Sequence, residues 1–398
     1  MLIVVCAGGS PARGKGEMRI MPELQTPPEQ AEPRPAQKRE IGPETFVFSA
    51  LFVGFFAVFA GKMGLVNPMN PLMNTAYSLL MDTVFYLMAI CVVMGAVSDM
   101  FAEFGVVSLA NRLLRPLMKP LYGLPGAASL GIVTTFLSDN PVILTLADNR
   151  YFRSFFKAYQ FPALTNLGTS FGMGMIVCTY MLSLSARTGQ AYGLSVAAGL
   201  LGAIIGSVVS TRLMLRFTAK LYGRERDMVP QEERIRGIGE HMRPVREGSV
   251  GSRLMAAILE GGASGVKMGL SIIPGVVIIC TLVMMLTNGP GPEGVYTGAA
   301  YEGIRLLPWL ADKCNFILRP LFGFSSPEAI GVPITALGAA GAAIGVASRL
   351  AEEGLANAGD IAVFTAMCMC WSGYLSTHVS MMNSLKCENL ISKAIISH

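Results

Sequence analysis

Long apolar runs dominate the chain, and their lengths predict its elements. Six of them, 45–63, 77–98, 161–184, 191–215, 264–288 and 360–382, reach the roughly 20 residues that a helix needs to cross a bilayer. Two further runs, 124–148 and 327–348, are interrupted halfway. The first breaks at Ser138-Asp139-Asn140-Pro141, the second at Gly338-Ala339-Ala340-Gly341. Inside hydrocarbon every backbone N–H and C=O needs a partner, so a non-helical break is tolerated only where protein or a water-filled cavity surrounds it. As a helix, residues 126–137 rise about 18 Å, past the bilayer midplane but not across. The chain is therefore expected to turn back at each break. Pro141 suits the first position of the returning helix, and Asn140 or Asp139 its N-cap. The pattern predicts an all-α membrane protein of about six transmembrane helices plus two re-entrant helical hairpins, 124–148 and 327–348.

The chain also repeats itself. Lys119-Pro-Leu-Tyr-Gly-Leu124 matches Arg319-Pro-Leu-Phe-Gly-Phe324, and at the same offset of 200 residues Gly131, Thr135 and Leu137 meet Gly331, Thr335 and Leu337. Each match precedes an interrupted run and then a long span, and each follows a span, 77–98 or 264–288. Basic residues orient these spans. The tail before 44, the segment 99–160 and the loop 217–252 are rich in Lys and Arg. The loop 64–76 has none and 185–190 only Arg187. Both termini are accordingly expected in the cytoplasm, although Arg305, Lys313, Arg319 and Arg349 then fall outside. On this topology the two repeats run in opposite directions, as inverted repeats.

Composition agrees with the pattern. Of 398 residues 52% are hydrophobic and 14% charged, against roughly 25% charged in a soluble domain, and the mean hydropathy is +0.51. The 44 Gly and 25 Met let helices approach closely and make self-association into a homo-oligomer accessible. A net charge of +5 does not suggest a nucleic-acid partner. The eight Cys lack the spacing of a zinc site or a disulfide framework and read as core residues. The expected organisation is a disordered cytoplasmic tail (1–43), a first membrane half (44–216), a charged cytoplasmic connector (217–252), a second half (253–385) and a cytoplasmic C-terminus (386–398).

Polar residues at membrane depth are the candidate chemistry. Capping accounts for Asn140 and Pro141 but less well for Asp139, since an intramembrane acid is costly and usually faces a cavity, an ion path or a partner charge. Asp139 could bind Na⁺, carry a proton or accept hydrogen bonds from a solute. In FPALTNLGTSFGMGM, Thr165 and Thr169 share one helix face, and Asn166 and Ser170 the adjoining one; interhelical hydrogen bonding is the plainer role for all four. CWSGYLSTHVSMMNSL carries a denser band that includes Ser376, Thr377 and His378, and an imidazole at this depth needs a partner. Trp371 and Tyr374 read as packing or as a stacking platform. With Thr135 and Ser138 beside the first break, the candidate substrate and ion ligands are Thr135, Ser138, Asp139, Asn140, Asn166, Thr169, Ser170, Ser376, Thr377 and His378. No catalytic triad or metal-hydrolase spacing is present, so an enzyme is not expected, nor any cofactor beyond a coupling ion, Na⁺ or H⁺.

The run FAEFGVVSLANRLLRPLMKPLYGLPGAASLGIVTTFLSDNPVILTLAD, the later NLGTSFGMGM, the segment SGVKMGLSIIP and the C-terminal WSGYLSTHVSMMNSL resemble the Gate (nucleoside-recognition domain) family, most closely its YjiH-type inner-membrane branch. The resemblance covers roughly residues 77–385. The family is distantly similar to concentrative nucleoside transporters and to the membrane part of ferrous-iron transporters, whose re-entrant hairpins gate a site at the repeat interface. It implies transport of a small polar solute (nucleoside-like, peptide or amino-acid-like), coupled to Na⁺ or H⁺, across the plasma (inner) membrane. Some relatives are spore-maturation proteins, which keeps a non-transporting scaffold or assembly factor as the alternative.

Overall fold

The computed structural model describes residues 40–64, 68–140, 142–148, 150–229, 245–291 and 293–398. Most of the expected N-terminal tail, the middle of the connector and Pro141 lie outside the described residues. Contacts divide the chain into a short N-terminal unit, Met1–Val53, and a body, Gly54–His398. Among the described residues the structure is helical, with one isolated β-bridge between Lys157 and Asp227.

In chain order the helices are α1 (Pro43–Met63), α2 (Met69–Ser78), α3 (Phe85–Glu103), α4 (Val106–Leu117), α5 (Ala128–Leu137), α6 (Val142–Asp148), α7 (Arg150–Arg153), α8 (Ala163–Thr169), α9 (Gly174–Thr188) and α10 (Gly193–Tyr222). They continue as α11 (Val250–Pro274), α12 (Thr281–Thr287), α13 (Leu306–Lys313), α14 (Asn315–Phe322), α15 (Gly331–Gly338), α16 (Ala340–Glu352), α17 (Ala358–Cys370), α18 (Tyr374–Ser384) and α19 (Ile391–Ser397). Wider π turns join α2 to α3 (Leu79–Val84), extend α4 (Met118–Tyr122) and join α11 to α12 (Gly275–Cys280).

Five helical stretches are long and apolar enough to cross a membrane: Pro43–Met63, Met69–Glu103, Ala163–Thr188, Gly193–Tyr222 and Val250–Thr287. The sixth expected span, 360–382, is instead two shorter helices, α17 and α18, which meet at Trp371–Gly373 with Gly373 left-handed at φ 64°. The polar band that begins at Ser372 both lowers the hydropathy of that stretch and interrupts its helix. Residues 69–76 add turns before the second expected span, and residues 250–263 before the fifth, because hydropathy marks only the apolar middle of a helix.

Glycine sets how close the central helices come. α3 and α11 run antiparallel, and a Cβ placed on Gly95 would lie 2.4 Å from the carbonyl oxygen of Gly261, just as one on Gly261 would lie 2.4 Å from that of Gly95. Gly265 is as tightly placed, with the Cys91 carbonyl 2.2 Å from its missing Cβ. α16 shows the same economy, since apart from Arg349 and Glu352 its side chains are buried. A helix surrounded by α9, α15, α17 and a π turn can only carry Ala, Gly and a few branched residues. The two larger apolar clusters among the described residues lie around α9, α16 and α17 and around α5, α8, α18 and α19.

The two interrupted runs fold as α5–α6 and α15–α16. At the base of the first, Gln160 Nε2 donates to the Gly123 carbonyl (2.9 Å), and the returning strand of chain is tied to the end of α10 by Met228 N to the Phe156 carbonyl (3.1 Å). At the base of the second, Ser325 N donates to Asp360 Oδ1 (3.0 Å). Asp360 also completes a capping box with Asn357 at the start of α17. Left-handed backbone positions recur at the 200-residue offset: Gly105 and Arg305, Gly123 and Gly323, Met173 and Gly373. So does one side-chain bond, Thr135 Oγ1 to the Gly131 carbonyl (2.7 Å) and Thr335 Oγ1 to that of Gly331 (2.6 Å).

Candidate functional site

The first break is built from polar side chains that satisfy the backbone. Thr134 and Thr135 return their hydroxyl protons to the carbonyls of Leu130 (2.8 Å) and Gly131 (2.7 Å), closing the end of α5. The Asp139 carboxylate accepts the Asn140 N–H at 2.7 Å, while the Asp139 carbonyl accepts Val142 N–H at 3.1 Å as α6 begins. Asn140 behaves differently from the expected N-cap. Its Nδ2 reaches across to the Ser372 carbonyl at 3.0 Å, and its Oδ1 accepts no hydrogen bond although the residue is 1% exposed. That side chain lies in the notch left by Gly172, where a Cβ would come within 1.9 Å of Asn140 Oδ1.

The carbonyl that Asn140 meets belongs to the α17–α18 break. Thr377 Oγ1 donates to the same oxygen at 3.0 Å, so the two interruptions are joined at one acceptor. His378, fully buried, bonds the Tyr374 carbonyl through Nδ1 at 2.6 Å, and its Nε2 has no hydrogen-bond partner among the described residues. Its ring meets the edge of His398 at a centroid distance of 4.8 Å. His398 in turn lies 3.0 Å from Ser210 Oγ through Nδ1 and 2.6 Å from the Cys370 carbonyl through Nε2. Tyr374 stacks at a tilt on Trp371 and on both histidines. The side chain of Ser376 lies outside the described residues.

The expected ligands on and just after α8 hydrogen-bond within the protein. Thr169 and Ser170 donate back to the carbonyls of Thr165 and Asn166, each at 2.8 Å. Asn166 Nδ2 ties α8 to Ser210 of α10 (3.0 Å) and to the Ala394 carbonyl of α19 (2.9 Å). Cys370 Sγ faces the Ser170 carbonyl at 3.6 Å, linking this network to the one at Ser372. Asn140 and Thr377 thus gather at one acceptor, Asn166 and His378 in the network through Ser210 and His398, and Thr135 stays within its own helix. The sequence offered no signal for Ser210, which sits in a Gly-rich span, or for His398, which follows a stretch that reads as a tail.

A cavity of about 310 Å³ reaches the break from one side, with Ser98, Asp99, Thr134, Ser138 and Ser264 as its polar wall. Beyond its mouth Arg246 of the connector bridges Asp99 (3.1 Å), Glu103 (2.9 Å) and Glu260 (2.7 Å), and Arg253 adds a second bond to Glu103 (2.6 Å). Hydrogen bonding to Glu260 first, then to Glu103 and Asp99, raises the pKa of Arg246 above its ordinary value. The guanidinium therefore keeps its charge. At the opposite end a cavity of about 390 Å³ is walled by Asp82, Arg187, Tyr301, Arg349 and Glu352. There Arg187 pairs with Glu352 (2.9 Å), and the Arg349 guanidinium lies 4.2 Å from the Tyr301 ring centre. Among the described residues no three His, Cys, Asp or Glu side chains form a metal-binding group. Compared with protein-family models and with curated proteins, the chain matches none.

Proposed function

We propose that the chain is a membrane transporter of a small polar solute, in which α5–α6 and α15–α16 are re-entrant hairpins of two inverted repeats. The observation that carries the reading is the junction of two interrupted helices: the buried Asn140 amide on the Ser372 carbonyl, beside a cavity that reaches Ser138. Irregular backbone of this kind is tolerated inside a membrane only where protein buries it or a water-filled cavity meets it, and in transporters such breaks line the binding site. Three further features support the repeats. Each hairpin base is closed by its own hydrogen bonds, the first near the end of α10 and the second at the start of α17. The left-handed positions recur at the offset of the sequence repeat. Polar cavities approach from both ends.

In this reading the Asp139 carboxylate, with one oxygen engaged by Asn140 N–H, is the coupling-ion or proton ligand. Solute enters from the cavity at Ser138, and one hairpin-bearing unit moves against the other to alternate access. The test is uptake by proteoliposomes offered nucleosides, amino acids and dipeptides under Na⁺ or pH gradients, with thermal stabilisation of the purified chain by the same solutes as a binding readout. A genuine site at 100-fold saturation stabilises by about 2.7 kcal/mol. Uptake of one solute class that is lost in Asp139→Asn is expected. Uptake unchanged in that variant removes Asp139 from the mechanism, and a panel with neither uptake nor stabilisation favours a scaffold.

A further inference from the structure

Helix α4 and the π turn that extends it carry three separate stripes. Val107, Asn111, Leu114, Met118 and Tyr122 face the body, where Ser129 hydrogen-bonds Asn111 and the Tyr122 hydroxyl meets Ser207 Oγ at 2.8 Å. Val106, Leu109, Leu113, Leu117 and Leu121 form a second stripe at helical spacing, and all five are exposed, Leu113 at 66%. Arg112, Arg115 and Lys119 form the third, also exposed. Among the described residues none of the three pairs with a carboxylate, and the sequence has no Asp or Glu from Phe104 to Ser138. Arg212 of α10 adds a fourth cation beside them, donating from Nε to the Leu121 carbonyl at 2.7 Å.

A stripe on the body leaves the other two facing different media. One is apolar and one cationic, and a helix about 10 Å across lying along a bilayer surface meets both media at once. The matching segment of the second half, α13–α14, repeats the apolar stripe with Leu306, Trp309, Ile317 and Leu321 exposed. It sets Asp312 against Lys313 and Arg319, so the concentrated charge belongs to one end of the body alone.

We propose that α4 is an interfacial helix whose Arg112, Arg115 and Lys119 hold anionic phospholipid headgroups in the leaflet on the side where α10 ends. The occupant is fixed by charge complementarity together with the adjoining apolar stripe: a soluble anion satisfies the first alone, a neutral lipid the second alone. The test uses the full chain in nanodiscs of phosphatidylcholine with and without phosphatidylglycerol, reading lipid retention by native mass spectrometry and melting temperature in parallel. At about fivefold per cation, the triple variant R112Q/R115Q/K119Q loses up to about a hundredfold of its preference for phosphatidylglycerol. R112K/R115K keeps it, which separates charge loss from misfolding, and K313Q/R319Q on the opposite segment leaves it unchanged. Preference retained in the triple variant, lost equally in K313Q/R319Q, or reproduced by inorganic phosphate overturns the proposal.

Discussion

Gly172→Ala probes the junction of the two broken helices directly. The added Cβ would lie 1.9 Å from Asn140 Oδ1, 2.5 Å from its Cγ and 2.8 Å from its Nδ2, distances that no side chain tolerates, so Asn140 must leave its place. Moving it breaks the 3.0 Å bond to the Ser372 carbonyl, and both residues are buried, at 1% and 6% exposure. Stranding buried polar groups costs about 1–3 kcal/mol, and forcing a methyl into a filled core costs about 1–3 kcal/mol more. A total of about 2–6 kcal/mol follows from those two contributions, read as a fall in unfolding free energy in one detergent or lipid. The diagnostic is a double-mutant cycle with Asn140→Ala, which empties the notch. In that background Gly172→Ala is expected to cost under about 1 kcal/mol, a strong coupling of the kind contacting residues show. Strictly additive costs would refute the contact and with it the junction on which the proposed site rests.

Two other consequences concern packing and charge. Gly261→Ala drives a methyl toward the Gly95 carbonyl at 2.4 Å and should cost about 1–3 kcal/mol or separate α3 from α11, seen in thermal unfolding or as slower disulfide trapping of cysteines placed across that seam. At the end of the body away from Arg246, burial pushes the Glu302 carboxyl up, but hydrogen bonds from Thr297 Oγ1 (2.7 Å) and from the amides of Thr297 (2.9 Å) and Gly298 (2.9 Å) more than offset it, and its pKa falls below the ordinary 4.5. Because the folded value is depressed, its stabilisation is fully present above pH 4.5 and is lost as pH drops through the folded value. Glu302→Gln should remove that acid-side loss from a melting-temperature profile, and an unchanged profile rejects the assignment.

Local properties of the chain determined much of the architecture. Hydropathy marked the cores of five spans, because apolar length is all that crossing demands, and it placed the interruptions between α5 and α6 and between α15 and α16, because polar or small residues inside such runs weaken a continuous helix. The motif pair at Lys119 and Arg319 marks a 200-residue offset at which left-handed residues also recur. The sixth span was lost for an equally local reason: its polar band interrupts the helix.

Which polar groups meet was decided only by the tertiary structure. Asn140 looked like a cap, yet its amide bonds a carbonyl 232 residues away. Thr169 and Ser170 read as interhelical bonds or as ligands, yet their protons return to carbonyls one turn back. The clasp of Arg246 on Asp99, Glu103 and Glu260 depends on α3 and α11 brought together by a glycine seam, and the contact of His398 with His378 on α19 packing against α18. Periodicity reports which face of a helix is apolar, but a hydrogen bond needs two atoms within about 3 Å, and that distance is set by the packing of the whole body.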